Sequence, residues 1–190
     1  MLPIIALAGT GLVLGYSYIS GPKNIVNVRS MNDNKIYQVQ NLPDKQEAAN
    51  LLSKLRQNLE NVIDSFKNDP NCKEECYKRL IQRFNPESFQ ENDLTADSTS
   101  YSENKGEKIV VCLRDKTKKP YRLIDENTIM FVLIHECAHL MTESTGHTPE
   151  FWTNFRKLLH DCIKQGVYYP SNYSKNPVEY CGMTISDTPL

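Results

Sequence analysis

The segment Glu126–Met141 constrains the fold of this 190-residue chain more than any other stretch. It contains neither glycine nor proline, is apolar on nearly every side of a helix, and follows Asp125, a residue type that caps helix N-termini. A helix of this kind is expected to be buried. It carries His135, Glu136 and His139, and burying these groups without a partner would cost several kcal/mol.

These three residues form the pattern H-E-x-x-H. Residues four apart on a helix lie about 40° apart around its axis, so His135 and His139 project to one side and can share an ion. Glu136 falls beside them, where a carboxylate can deprotonate a metal-bound water. The pattern predicts a zinc hydrolase. Two alternatives are core histidines satisfied by hydrogen bonds and a zinc site without catalytic activity.

A third zinc ligand is expected shortly after the helix. His147 is the favoured candidate, because Gly146 permits a left-handed turn that folds the chain back toward the helix end. Glu143 and Glu150 are alternatives, since two histidines and a glutamate also form a catalytic zinc set.

A second helix is predicted to begin directly after His147. Thr148 and Pro149 have the residue types of an N-cap and a first helical position, and Gly166 marks the C-terminal stop. His160 falls on the polar face of this helix and is expected to be solvated. The opposite face is apolar and is predicted to pack in the core: Phe151, Phe155, Leu158, Leu159, Cys162 and Ile163.

Three blocks of sequence resemble the small H-E-x-x-H peptidases of the SprT, WLM and YgjP-like group. They are residues 109–114, the helix with H-E-C-A-H, and G-H-T-P-E-F-W at 146–152. Residues 177–182 are similar to the C-terminal region of the versions found in large DNA viruses. The resemblance implies that His135, His139 and His147 bind Zn²⁺, that Glu136 is the general base and later proton donor, and that water takes the fourth position.

The resemblance also suggests how substrate binds and what stabilises the transition state. Residues 108–113 read as a strand, and in related peptidases a strand before the active-site helix pairs with substrate; a purely structural strand is the alternative. Tyr180 is a candidate hydrogen-bond donor to the oxyanion, with Tyr168, Tyr169 and Tyr173 as rivals. For each tyrosine, packing in the core is the alternative role.

The amino terminus predicts a membrane anchor. Residues 2–19 carry no charge, and a helix of that length spans about 27 Å, close to the roughly 30 Å of a bilayer core. A cleaved signal peptide is the alternative. Lys23 and Arg29 follow the span, so the positive-inside rule places the C-terminal domain on the cytosolic side. In a virus that takes up host membrane, the anchor would lie in the virion membrane, with the domain on the virion side.

The sequence therefore predicts an α+β fold: an N-terminal transmembrane helix, then a compact zincin-like domain whose active-site helix packs on a small sheet. The expected domains are an anchor at 1–21, a juxtamembrane segment at 22–42 and the metallopeptidase domain at 43–190. The sequence predicts a strand at 36–39 and helices at 43–66 and about 72–84. It predicts a surface loop at 86–107.

Six cysteines leave the redox state open, because free thiols and disulfides are equally compatible with the spacing. Cys72 and Cys76 lie one helical turn apart, and each is expected to pair elsewhere if it pairs at all. The charges are interspersed and sum to −1, and the basic cluster at 116–119 reads as a solvated turn.

We therefore expect a membrane-anchored zinc metalloendopeptidase that acts on proteins or peptides, without a nucleic-acid partner and with possible association with other virion or membrane proteins. The alternatives are a DNA–protein crosslink protease and a non-catalytic virion or membrane structural protein with a stabilising zinc site.

Overall fold

The computed structural model describes residues 24–104 and 106–190. Five strands form one mixed sheet in the order β1-β2-β3-β5-β4: β1 (Ile25–Arg29), β2 (Ile36–Gln40), β3 (Phe89–Glu91), β4 (Tyr101–Glu103) and β5 (Lys108–Val111). The helices are α1 (Lys45–Asn68), α2 (Glu75–Arg83), α3 (Glu126–Met141) and α4 (Pro149–Lys164). A C-terminal hairpin follows, with β6 (Val178–Tyr180) and β7 (Met183–Ile185).

The helices α3 and α4 begin where their capping residues predict. The Asp125 side chain accepts a hydrogen bond of 2.9 Å from the Thr128 amide, and the Thr148 hydroxyl accepts one of 3.3 Å from the Phe151 amide. Each bond satisfies an amide that the first helical turn leaves unpaired. The predicted bounds of both helices are confirmed to within one residue.

The packing of α3 differs from the prediction. We expected the active-site helix to lie on the sheet, but α1 covers β2 and β3, whereas α3 packs mainly against α2 and α4. Because α3 is apolar on nearly all sides, it is best buried among other helices, and Ile129, Leu133 and Ala138 are fully enclosed. The helix therefore forms the centre of the core and meets the sheet at its edge.

The sheet contains strands that the sequence did not predict. The expected loop at 86–107 contains β3 and β4, each of three residues, and residues 25–29 of the expected juxtamembrane segment form β1. The strand predicted at 36–39 is confirmed as β2, which pairs with β1. The strand predicted at 108–113 exists as β5, but β3 and β4 pair with it on both sides. Pairing of a substrate along β5 is therefore ruled out, and β4 is the outer strand.

The prediction of an N-terminal transmembrane helix needs correction. The stretch concerned, residues 2–19, lies outside the described residues, and no helix within 24–104 and 106–190 is long and apolar enough to cross a membrane. Even α1, with 24 residues, carries charged side chains along its length. The fold class is accordingly an α+β domain, and the prediction of a single-pass membrane protein is corrected on the same finding.

One disulfide joins the sheet to the C-terminal hairpin. Cys112 follows β5, Cys181 lies in the turn between β6 and β7, and their Cα atoms are 6.4 Å apart, within the range that a disulfide allows. The other four cysteines are free, including Cys72 and Cys76. The hairpin is thereby fixed beside the end of β5.

Removing this disulfide should destabilise the protein. The bond spans 69 residues, and closing a loop of that order restricts the unfolded chain enough to contribute about 2–4 kcal/mol. Urea unfolding of a Cys112→Ser/Cys181→Ser variant should show a lower free energy of unfolding than the oxidised protein, whereas Cys72→Ser should show little change. Equal unfolding free energies would contradict the bond.

Candidate metal centre

Three imidazoles converge where α3 ends and the next loop begins. His135 and His139 lie one turn apart on α3, and His147 lies in the loop before α4. The Nε2 atom of His135 is 3.2 Å from that of His139 and 3.1 Å from that of His147. Tetrahedral ligands at about 2.0–2.1 Å from zinc lie roughly 3.3–3.4 Å apart, so the three nitrogens fit one ion.

The loop geometry explains how His147 reaches the helix. Gly146 has a φ of +85°, which an L side chain rarely adopts and which reverses the chain after α3. Phe151, in the first turn of α4, is fully buried and stacks on His139 at a centroid distance of 4.3 Å. It also contacts His135 and His147, at 4.9 and 4.7 Å. One aromatic ring therefore backs all three imidazoles.

Burial keeps the helix imidazoles in the form that binds metals. Desolvation, together with the charges of the neighbouring histidines, lowers the pKa of His135 to about 3. Desolvation, followed by the effect of His147, lowers the pKa of His139 to about 4. Both rings are therefore neutral near pH 7, with a nitrogen lone pair available for coordination.

Glu136 lies beside the cluster in a cleft of about 300 Å³. Burial raises the pKa of its carboxyl to about 7, and the Ser102 hydroxyl, on β4, lies 3.5 Å from Oε2. A carboxyl with a pKa near neutrality is well suited to accept and return a proton. The other residues that line the cleft come from β4, α3 and the following loop: Tyr101, His139, Leu140, Ser144, Thr145 and Gly146.

The alternative third ligands have other partners. Glu150 accepts a hydrogen bond of 3.0 Å from Arg79, and Glu143 accepts one of 3.2 Å from Arg83. Neither carboxylate belongs to the metal-binding cluster found among the described residues. These contacts favour His147 over both glutamates.

None of the remaining candidates lines the cleft beside Glu136. Tyr180 is fully buried, and its hydroxyl donates a hydrogen bond of 2.9 Å to the carbonyl oxygen of Cys112. This contact supports the packing role rather than transition-state stabilisation. Tyr168 and Tyr173 are also buried, whereas Tyr169 is exposed. His160 is exposed, as predicted for the polar face of α4.

The sequence did not identify Ser102 as a neighbour of the catalytic candidate. A three-residue strand shows too little alternation to be recognised, and nothing local connects Ser102 to Glu136, 34 residues later. Three histidines and a carboxylate at the end of one helix are the arrangement typical of H-E-x-x-H metallopeptidases.

Comparisons with known proteins specify this class further. The WLM domain family matches residues 95–184. Uncharacterized protein R325 of Acanthamoeba polyphaga mimivirus is 34% identical over 164 residues, which cover 84% of this chain and 82% of that protein. Uncharacterized protein 042R of Invertebrate iridescent virus 3 is 39% identical over 97 residues, covering 50% and 57% respectively. The chain belongs to the WLM family of Wss1- and SprT-like zinc metallopeptidases, which has viral members.

A solved structure supports the fold. Wss1 from Saccharomyces cerevisiae superposes with a TM-score of 0.51 and 19% identity, covering 67% of this chain and 88% of that one. A likeness at this level of identity shows a shared fold. The resemblance to the WLM and SprT group that the sequence suggested is therefore confirmed, together with a compact α+β domain.

The half-buried carboxyl of Glu136 should affect how the stability of the metal-free protein depends on pH. Its pKa of about 7 in the folded protein exceeds the ordinary value of 4.5 for a glutamate, so its ionisation destabilises the fold increasingly from about pH 4.5 to pH 7. Glu136→Gln should therefore be more stable than wild type at pH 8, by at most about 3 kcal/mol. Urea unfolding with a chelator present measures this difference.

The difference should shrink as the pH falls and vanish near pH 4, where the carboxyl is protonated in both states. The histidines titrate in both proteins, so their contribution cancels. A difference that stays constant from pH 4 to pH 8 would show that burial does not shift this pKa.

Proposed function

We propose that this protein is a zinc-dependent endopeptidase that hydrolyses peptide bonds in protein substrates. The observation that carries the proposal is that Nε2 of His139 and Nε2 of His147 both lie within hydrogen-bonding distance of Nε2 of His135, beside the half-buried Glu136. The family supports the protease class, and the neutral imidazoles fit the ligand chemistry of zinc.

His135, His139 and His147 would hold the zinc ion through Nε2 and leave one position open. A zinc ion bound there supplies a Lewis acid for the scissile carbonyl and a water of lowered pKa. Glu136 accepts the proton of the attacking water and later returns it to the leaving amine. Glu136 lines the cleft next to His139, where its carboxylate can reach both the attacking water and the leaving amine.

The substrate would bind along β4. This strand is the outer strand on its side of the described sheet, and Tyr101 and Ser102 line the same cleft as Glu136. An extended peptide that pairs with β4 would gain main-chain hydrogen bonds while one of its carbonyls lies near the metal site. Because this pairing uses the main chain of the substrate, it selects for unfolded or extended segments and does not require one particular side chain.

Of the other predicted functions, a DNA–protein crosslink protease also has the support of the family, whereas a structural zinc site does not. A DNA–protein crosslink protease needs a basic surface for DNA, yet in the cluster at 116–119 the Lys116 ammonium donates hydrogen bonds to the carbonyl oxygens of Ala96 and Ser98. A structural zinc site needs the three ligands but not Glu136. A salt-dependent affinity for DNA would favour the first alternative.

Replacing the general base should separate catalysis from metal binding. Glu136→Gln in the full chain should lower kcat/KM on an unfolded protein substrate by about 10²–10⁴-fold, because proton transfer is lost. Its zinc affinity should stay within a few-fold of wild type, since no ligand changes. Glu126→Gln, on the same helix, is the control and should leave the activity unchanged. Equal activity of Glu136→Gln and wild type would overturn the proposal.

Replacing the third ligand should affect the metal instead. Changes to residues that orient a metal ligand weaken metal binding by roughly 10–100-fold. Because His147→Ala removes the ligand itself, it should weaken zinc binding by more than this. His160→Ala, which removes an exposed histidine from α4, should leave zinc affinity unchanged. Metal-competition titration measures both. If the two variants bind zinc equally well, His147 is not a ligand.

A further inference from the structure

The loop that carries His147 lacks support from the hydrophobic core. Glu143, Thr145, Gly146 and His147 are all exposed, and a Cβ atom at Gly146 would meet nothing within 4 Å. Apart from the rings of Phe151 and Trp152, little apolar packing holds the histidine in position. The polar contacts at the two ends of the loop must therefore determine where His147 lies.

Glu150 makes several of these contacts from the first turn of α4. One carboxylate oxygen accepts the Glu143 amide at 3.2 Å, and the other accepts the Ser144 amide at 3.3 Å and the Ser144 hydroxyl at 2.9 Å. The same hydroxyl lies 2.7 Å from Thr148 Oγ1, the N-cap of α4. One side chain thus joins the start of the loop to the helix that ends it.

Arg79, on α2, connects this carboxylate to the metal-bearing helix. Its Nη2 donates to Glu150 at 3.0 Å, and its Nε donates to the carbonyl oxygen of Met141 at 2.7 Å, in the last turn of α3. One turn further along α2, Arg83 donates to the carbonyl oxygens of Leu140 and Thr142, at 3.0 and 3.1 Å. The end of α3 and the start of α4 are therefore fixed to the same helix.

The exposure of these groups indicates what the contacts achieve. The side chain of Glu150 is 39% exposed and that of Arg79 is 22% exposed. An ion pair open to solvent contributes little to folding stability. Arg79 and Glu150 instead make five hydrogen bonds that join α2, α3, the loop and α4. These bonds fix the position of the loop relative to the end of α3.

We propose that Glu150 and Arg79 are positioning residues that hold the loop so that His147 reaches the ion bound by His135 and His139. The inference rests on the proposed function, because it assumes that His147 is a ligand. Glu150 acts on the metal through His147 and does not coordinate it. Groups that orient a ligand in this way typically change metal affinity by about 10–100-fold when they are removed.

The test measures zinc affinity of the full chain by metal competition. Glu150→Gln and Arg79→Gln should each weaken zinc binding by about 10–100-fold while all three histidines remain. Glu126→Gln is a matched control: Glu126 lies in the first turn of α3, is 36% exposed and pairs with Lys54 of α1 rather than with the loop. It should bind zinc as wild type does.

The Arg79→Gln variant separates positioning from coordination. If Glu150 were itself a zinc ligand, releasing it from Arg79 would leave zinc affinity unchanged or raise it. A loss of affinity in Arg79→Gln therefore supports the proposal, and an unchanged or higher affinity overturns it. Cobalt-loaded Glu150→Gln should also show a visible absorption spectrum shifted toward that of His147→Ala, and a wild-type spectrum would count against the proposal.

A double-mutant cycle tests the route through His147. In a His147→Ala background, Glu150→Gln should change zinc affinity by less than about two-fold, because the ligand it positions is gone. The same loss in both backgrounds would overturn the proposal. If Glu150→Gln fails to fold, Ser144→Ala removes only the hydroxyl contacts and should weaken zinc binding in the same direction; no loss in that variant would then overturn it.

Failure of the two proposals gives different results. If His147→Ala binds zinc as wild type does, the third ligand of the proposed function is wrong. If His147→Ala loses affinity while Glu150→Gln and Arg79→Gln do not, the proposed function stands and only the positioning role is refuted.

Discussion

The fold is organised around the burial of two imidazoles and a carboxylate on one apolar helix. Removing such groups from water is unfavourable unless each gains a partner. The imidazoles turn toward one another and toward His147, while Glu136 faces the cleft. Burial also lowers the pKa of His135 and His139 and raises that of Glu136. Desolvation therefore costs folding free energy, but it also keeps the two imidazoles neutral for metal binding and brings the pKa of the carboxyl close to 7 for proton transfer.

Both walls of the cleft depend on contacts made far away in the sequence. On one side, arginines of α2 bind the end of α3 and the loop after it. On the other side, Ser100, next to β4, accepts a hydrogen bond of 2.8 Å from the Cys112 amide and lies 2.5 Å from the Tyr180 hydroxyl. The disulfide of Cys112 and Cys181 holds these groups together. The C-terminal hairpin therefore supports the strand along which we propose that substrate binds.

Some of this structure could be predicted because the signals are local. Asp125 and Thr148 are followed by helix-forming residues, and both helices begin where expected. The spacing of His135 and His139 places both on one helical face. By contrast, β3 and β4 are too short to show alternation, so Ser102 was missed. The roles of Arg79 and Arg83 could not be predicted from the sequence, because their contacts with residues 140–150 depend on how the helices pack. The strand pairing of residues 25–29 was hidden by the interpretation of residues 22–42 as juxtamembrane.

The coordination shell of the zinc-loaded protein tests the central claim most directly. A crystal structure at a wavelength that identifies zinc, or X-ray absorption at the zinc edge, resolves the number and type of ligands. The account predicts nitrogen atoms from His135, His139 and His147 at about 2.0–2.1 Å and one exchangeable water. A carboxylate of Glu143 or Glu150 in the shell, or a shell closed by four protein ligands, would contradict it.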